Sequence, residues 1–254
     1  MIISIANQKG GVAKSTTAIN LAAGMALAGY RVLLIDIDPQ SNASQVFLPS
    51  GEREVPVAHS LYNVLMKFAP LSGVVRPTRF NNLHFVPAHI RLSGADLELA
   101  QALDNRSERL KRALSNLDAH YDYVLIDNPP SLGLLTINAF VASDRLVIPV
   151  STGFFALTGL VQLQETIAMV RQTQLNPTLD ILGVVCTFSD RTHVSRDVEK
   201  QLRTYFGKLV FETVIPKNVS LEEAHSKHTH IFDYAPNSAG AHAYKALVQE
   251  VLKR

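Results

Sequence analysis

The chain has 254 residues, of which 47% are hydrophobic, so it can bury the core of one large α/β domain or two small ones and is too apolar for disorder. Its net charge of +2 is weakly basic, which permits a nucleic-acid partner without arguing for one. No apolar run approaches the ~20 residues that span a bilayer, strand-like sequence from residue 2 leaves no room for a signal peptide, and Cys186 as the only cysteine excludes an intramolecular disulfide, so a soluble cytoplasmic protein is expected.

Ile2-Ile3-Ser4-Ile5-Ala6 reads as a buried strand and Ala18 to Leu27 as a helix. Between them lies Asn7-Gln8-Lys9-Gly10-Gly11-Val12-Ala13-Lys14-Ser15-Thr16. A strand, a glycine-rich turn and a helix opening on Lys-Ser is the layout of a phosphate-binding loop. Glycines let the backbone approach phosphates, successive N–H groups point at the anion, and the helix N-terminus adds partial positive charge. Lys14 would supply a full charge to the outer phosphates and Ser15 a hydroxyl to Mg²⁺. Gly-Gly beside lysines also occurs in ordinary surface turns; the flanking strand and helix favour the nucleotide reading.

Next comes a strand over Arg31–Ile35 that ends in Asp36, then an irregular surface loop over Leu48–Val57 with Pro49, Gly51 and Pro56. Helical periodicity marks Leu61–Phe68 and Asp96–Leu117. A strand over Tyr123–Ile126 ends in Asp127. Strand patterns at Arg145–Val150, Ile181–Phe188 and Leu209–Ile215 alternate with helical patterns at Leu157–Gln172, Ser195–Phe206 and Ala239–Leu252. The alternation predicts an α/β fold: a single doubly wound, mostly parallel sheet with helices on both faces. No repeat, low-complexity tract or linker divides it, so residues 1–254 read as one domain. Cys186, inside a strand, reads as a buried inert thiol.

Open parallel sheets bind ligands at the carboxyl ends of their strands. Two strands end there in acidic residues, giving Asp36-Ile37-Asp38-Pro39-Gln40 and Asp127-Asn128-Pro129-Pro130-Ser131. A lone Asp at a strand end is more often a turn residue or helix cap. Two of them, in a chain with a phosphate loop, favour Mg²⁺ ligands held directly or through water.

A strict G-x-x-x-x-G-K-[ST] loop needs glycine where this chain has Gln8 and Ala13, and a second lysine, Lys9, precedes Gly10-Gly11. This K-G-G-x-x-K-[ST] form resembles the deviant Walker A motif of the ParA/MinD family of P-loop ATPases. The D-x-D-P-Q run at 36–40 is similar to that of the ParA (Soj-like) branch, and Val124 to Asn138 looks like its Walker B region and switch. Phe155-Ala156-Leu157-Thr158-Gly159-Leu160, Thr187 to Thr192, Ile215-Pro216-Lys217-Asn218 and Asp233 to Ala241 resemble further motifs in family order. The likeness runs from residue 1 to about 250 and is interrupted mainly at 48–95.

The resemblance implies ATP and Mg²⁺ as cofactors. Gly10, Gly11, Val12, Ala13, Lys14, Ser15 and Thr16 would hold the nucleotide, with backbone at Pro216 and Asn218 around adenine. Lys9 would reach across a homodimer to the partner's ATP. Asp38 would orient or activate water, making Lys9, Lys14 and Asp38 the catalytic set, while Ser15, Asp36 and Asp127 serve the metal. Pro129-Pro130 would stiffen the loop that senses the γ-phosphate. The implied function is an ATP-dependent dimer, bacterial and nucleoid-associated, that binds DNA nonspecifically and positions cargo. The cargo would be a chromosome, a plasmid, or a protein body such as a carboxysome or chemoreceptor cluster. A ParB-like or cargo-adaptor protein would stimulate hydrolysis.

Several residues depart from the pattern. If position 13 needs φ > 0, Ala13 costs on the order of 1 kcal/mol. Ser220 stands where many relatives carry an arginine, and Ala224-His225 replaces a common Ala-Pro. His225, His228 and His230 do not share a helix face, so they read as a solvated loop rather than a metal site. Arg196, Lys200 and Arg203 fall at i, i+4 and i+7 on one face, and with Arg191 and Lys217 they form a candidate DNA surface. Such a stripe is otherwise just a solvated helix face. A MinD-like membrane ATPase would need an amphipathic tail beyond Leu252-Lys253-Arg254, so no stable membrane binding is expected. One cysteine cannot support an iron–sulfur reductase. A weakly hydrolysing nucleotide-switch scaffold, suggested by Ala13, stays open.

Overall fold

Unbroken apolar runs at 32–35, 124–126 and 146–148 are buried on both sides, as a parallel strand between two helical layers requires. The computed structural model describes residues 1–49, 51–52, 54–117, 120–153 and 159–254. Its strands are β1 (Ile2–Ile5), β2 (Val32–Asp36), β3 (Arg76–Pro77), β4 (Leu83–Val86), β5 (Tyr123–Asp127), β6 (Arg145–Ser151), β7 (Asp180–Ser189) and β8 (Val210–Pro216). They form one eight-stranded sheet in the order β3-β4-β2-β5-β1-β6-β7-β8. Every pairing is parallel except β3 with β4.

The described helices are α1 (Lys14–Leu27), α2 (Asn42–Phe47), α3 (Leu61–Lys67), α4 (Ala95–Ala100), α5 (Arg109–Ser115), α6 (Leu134–Ala142), α7 (Leu160–Gln172), α8 (His193–Phe206), α9 (Val219–Ser226), α10 (Ile231–Tyr234) and α11 (Ala239–Lys253). Alternate strand residues serve opposite layers. Leu34 packs with α1, α2 and α9–α11, while Leu33 and Ile35 pack with α3–α6. Under α6–α8 the strands β6 and β7 contribute Leu146, Ile148, Val184 and Cys186. Burial pushes the Cys186 thiol up to about 12, the inert state expected of it. No described helix is long and apolar enough to cross a membrane.

The doubly wound parallel sheet agrees with the sequence reading, and three local expectations are corrected. The helical periodicity over Asp96–Leu117 breaks into α4 and α5, because Asn105 adopts a left-handed φ of 49° and leaves Leu103 fully exposed. Strands β3 and β4 and helix α6 are present where the periodicity gave none. The helix expected from Leu157 is described from Leu160; Phe155 to Thr158 lie outside the described residues.

Helix α1 carries the phosphate loop, and its seating depends on a close approach to α11. A β-carbon on Gly24 would lie 2.6 Å from Val248 Cγ2 and 3.2 Å from Phe232. An alanine in a helix interior normally stabilises by roughly 0.5–1 kcal/mol over glycine. Here the short, stiff valine cannot retreat, so Gly24→Ala should destabilise by about 1–3 kcal/mol in urea unfolding. A raised midpoint would show that this helix pair opens freely.

Candidate active site

The sheet register brings the acidic strand ends together. Asp127 pairs with Ile5 on one side and with Asp36 on the other, so the carboxyl ends of β1, β2 and β5 are adjacent. The loop after β1 therefore lies over both aspartates. Gly11 and Ala13 both have φ 67°, turning the backbone into the helix N-terminus. Position 13 does need a left-handed backbone, and a non-glycine residue sits there. Lys9 N–H donates to Asn7 Oδ1 (3.0 Å), Asn7 Nδ2 donates to the Pro149 carbonyl (2.8 Å), and Thr187 Oγ1 donates to the Val12 carbonyl (3.1 Å). These bonds fasten the loop to β6 and β7.

Lys14, the first residue of α1, is 6% exposed and donates from Nζ to the Lys9 carbonyl at 3.0 Å. Burial pushes its ammonium below the ordinary lysine range, and the Asp127 and Asp38 carboxylates oppose that. Asp127 is fully buried and neither carboxylate oxygen has a hydrogen-bond partner among the described residues. Burial first, then the Asp36 charge, drives its carboxyl well above the usual range, against the Ser15 hydroxyl and Lys14. Such an orphaned pair of oxygens beside a helix-opening serine fits Mg²⁺, which takes one or two protein oxygens and keeps water or phosphate for the rest. Among the described residues no three His, Cys, Asp or Glu side chains cluster as a metal cage, and Mg²⁺ at phosphates does not need one.

Asp36 is differently placed. Its Oδ1 accepts from Asp38 N–H (3.0 Å), and its Oδ2 accepts from Ser44 N–H (2.8 Å) and Ser44 Oγ (2.7 Å). Burial raises its carboxyl and the Ser44 donors hold it back. It anchors the turn that presents Asp38, which is 4% exposed and accepts from Gln40 N–H through Oδ1 (2.9 Å). Oδ2 of Asp38 accepts no hydrogen bond from the described residues.

A cleft of about 420 Å³ runs from Gly10–Thr16 and Asp38 past Pro130 to Phe188, Glu222 and His225. Lys9 is half-buried and is not among the residues lining it, nor are Pro216 and Asn218 at the end of β8. Asn218 Oδ1, at the start of α9, is buried without a hydrogen-bond partner among the described residues. Sequence reasoning missed Phe188, Glu222 and His225; the only sequence signal was their closeness to the 187–192 and 215–218 motifs. Phe188 holds a left-handed φ of 52°, a rare state for a bulky residue.

The three histidines do not form a solvated loop. His230 is 2% exposed between Phe80 and Phe232, and burial pushes it down to about 4. Burial likewise pushes His225 down to about 4, and its Nε2 has no partner among the described residues. Only His228 is exposed, with Nδ1 against the Gln45 carbonyl (2.6 Å). Packing of α9 and α10 on α1, through Ile231 N–H to Asn20 Oδ1 (2.9 Å), buries the other two. Of the basic residues, Arg191, Arg196, Lys200 and Lys217 are exposed, and Arg196, Lys200 and Arg203 line one shallow hollow as their spacing predicts. Arg203 is engaged: Glu199 lies at 3.0 Å, Glu212 at 3.5 Å and the Phe211 carbonyl at 3.2 Å.

A glycine at position 13 would relieve the left-handed alanine. Ala13→Gly should stabilise the nucleotide-free protein by about 1 kcal/mol, read as a higher urea midpoint at unchanged m-value. An unchanged or lower midpoint would show that the loop bonds already remove the strain.

A family described as an AAA domain (AAA_31) matches residues 1–181. The sporulation initiation inhibitor protein Soj of Bacillus subtilis is 47% identical over 251 residues, covering 98% of this chain and 97% of that protein. The chromosome-partitioning ATPase Soj of Thermus thermophilus is 47% identical over 253 residues, covering 99% and 95%. Among solved structures, cobyrinic acid a,c-diamide synthase from Mycobacterium smegmatis, with bound ATP analog and magnesium, superposes with a TM-score of 0.83 at 33% identity, covering 99% of this chain and 94% of that one.

Proposed function

The chain belongs to the ParA/MinD family of ATPases, in its Soj-like branch, and from that premise we propose a nucleotide-driven dimer that binds DNA nonspecifically and segregates or positions cargo. It is an ATP hydrolase that uses Mg²⁺. The observation that carries the finer reading is the division between two lysines on one loop. Lys14 is buried at the home site with the aspartates, while Lys9 lies outside the cleft lining, free to serve a second subunit.

In this reading residues 1–254 act as one domain. Ser15, Asp36 and Asp127 would hold Mg²⁺, and Asp36 also grips the Asp38 turn. When bound, Mg²⁺ neutralises charge that develops on the transferred phosphoryl group. Backbone N–H groups of Gly10–Thr16 and the Lys14 ammonium orient the phosphates. Asp38 takes up a proton from the attacking water at Oδ2. Pro216 and Asn218 place backbone beside the base. Lys9 of the partner subunit closes the site and excludes water. Arg191, Arg196, Lys200 and Lys217 supply the DNA-facing charge, with Arg203 contributing least because it is already paired. A ParB-like or cargo-adaptor protein accelerates hydrolysis and ends the bound state. The protein works on the bacterial nucleoid.

The two lysines should separate by experiment. Lys14→Ala should lose ATP binding almost wholly, since the phosphates lose the cation of their own loop. Lys9→Ala should keep ATP binding but stay monomeric in light scattering and hydrolyse poorly. Normal ATP-dependent dimers from Lys9→Ala would refute the trans role, and tight ATP binding by Lys14→Ala would refute the home role.

DNA binding is tested by charge. The ATP-bound dimer should retain duplex DNA of any sequence, with affinity falling roughly ten-thousandfold between 50 and 200 mM salt if two subunits make about eight phosphate contacts. Reversing Arg191, Arg196 and Lys200 to glutamate should abolish retention while dimerisation, measured in the same sample, persists. Undiminished retention at low salt would move the DNA surface elsewhere, and no retention by the unsubstituted dimer would remove DNA from the cycle.

A further inference from the structure

We propose that Asp96, on α4 and outside the cleft, is a positioning residue that sets the loop between β5 and α6 for recognition of the terminal phosphate. Helix α6 begins after Gly133, which has no side chain to cap it. Asp96 supplies the cap from another element: its Oδ1 accepts from Leu135 N–H at 2.9 Å. A carboxylate at that helix end also meets the positive end of the helix dipole. Its other oxygen lies against Gly133 so closely that a β-carbon there would be 2.1 Å from Oδ2. The absence of a side chain at 133 and the carboxylate at 96 are therefore one fitted contact.

That contact reaches the cleft through a short, stiff path. Thr136 Oγ1 donates to the Ser131 carbonyl (2.8 Å), tying the first turn of α6 back to the loop. Pro129 and Pro130 restrict the intervening backbone. Pro130 lines the cleft, and its Cβ lies 4.0 Å from where a Gly10 β-carbon would be. On its other side α4 is held by Glu98, which accepts from the Tyr62 hydroxyl at 2.9 and 3.0 Å. Asp96 thus fixes where Pro130 stands relative to the phosphate loop without touching the nucleotide. If Pro129-Pro130 belong to the loop that senses the γ-phosphate, as the family resemblance implies, loss of the cap weakens ATP binding more than ADP binding.

This rests on the nucleotide site described above, and the test separates the two. Affinities for fluorescent ADP and for a fluorescent non-hydrolysable ATP analogue are measured on the unsubstituted protein, Asp96→Ala, Asp96→Asn, Gly133→Ala and the Asp96→Ala/Gly133→Ala double variant. Asp96→Ala should bind ADP as before and the ATP analogue about fivefold more weakly, the factor that a lost helix cap corresponds to. Asp96→Asn, which keeps the acceptor, should retain most of the preference. Gly133→Ala should reproduce the loss by displacing the carboxylate, and the double variant should be no worse than either single one. Equal weakening of both nucleotides, or no change in their ratio, would overturn the positioning role. If Asp96→Ala does not fold, Gly133→Ala against Asp96→Asn decides by the same ratio. Failure of the unsubstituted protein to bind either nucleotide would instead overturn the site itself.

Discussion

Three carboxylates and one ammonium are buried together at the ends of β1, β2 and β5, and the rest of the molecule is arranged around that imbalance. Asp36, Asp38 and Asp127 are each no more than 4% exposed, and Lys14 is the buried cation among them. Fully ionised, the group would carry a formal charge of −2 (three negative, one positive). Burying such charge without compensation is strongly unfavourable. Burial, and then the neighbouring carboxylate charges, raise Asp36 and Asp127 above the usual carboxylate range. A divalent cation supplies the missing charge directly.

Two of the eight left-handed non-glycine residues among the described residues lie at this site. Ala13 and Phe188 both hold left-handed backbones and both line the cleft. Each lies next to a fixed point: Thr17 N–H donates to the Ala13 carbonyl at 2.9 Å, and Thr187 Oγ1 bonds the Val12 carbonyl. The first bond is an ordinary helix bond, so α1 imposes the φ of residue 13 from its C-terminal side. Strain held by packed surroundings in this way is common where a site must be preformed.

The parts of this site legible in the sequence were those written locally. The phosphate loop spans ten consecutive residues, and Asp36 and Asp127 each end an apolar run, so local pattern pointed to Lys14, Asp36 and Asp127, while Asp38 was singled out through the family resemblance. Parallel register then placed Asp36 beside Asp127, which no local pattern states. Helix α6 was missed because its nine residues are buried nearly all round, with no polar face to set a period. Strand β3 is two residues long and contains Pro77, the composition of an edge rather than a strand. The buried state of His225 and His230 depends on α9 and α10 folding onto α1, a contact between residues some two hundred positions apart. The engagement of Arg203 depends on Glu212 and Phe211 of the neighbouring strand, invisible to helical spacing.

The phosphate loop touches both sides of the cleft. Toward β7 it is bonded through Val12 to Thr187, one residue before Phe188 and four before Arg191. Lys217 N–H donates to the Ser189 carbonyl at 3.0 Å, so the exposed cations at 191 and 217 share that rim. Toward β5 the loop faces Pro130 and, behind it, the fitted contact of Gly133 with Asp96. The two sides belong to different core clusters, with α3–α6 over one and α6–α8 over the other, and only α6 contributes to both. A ligand filling the cleft bridges them at the loop, and α6 bridges them beneath it. The phosphate loop is thus tied by a few bonded residues to the rim that carries the exposed cations at 191 and 217.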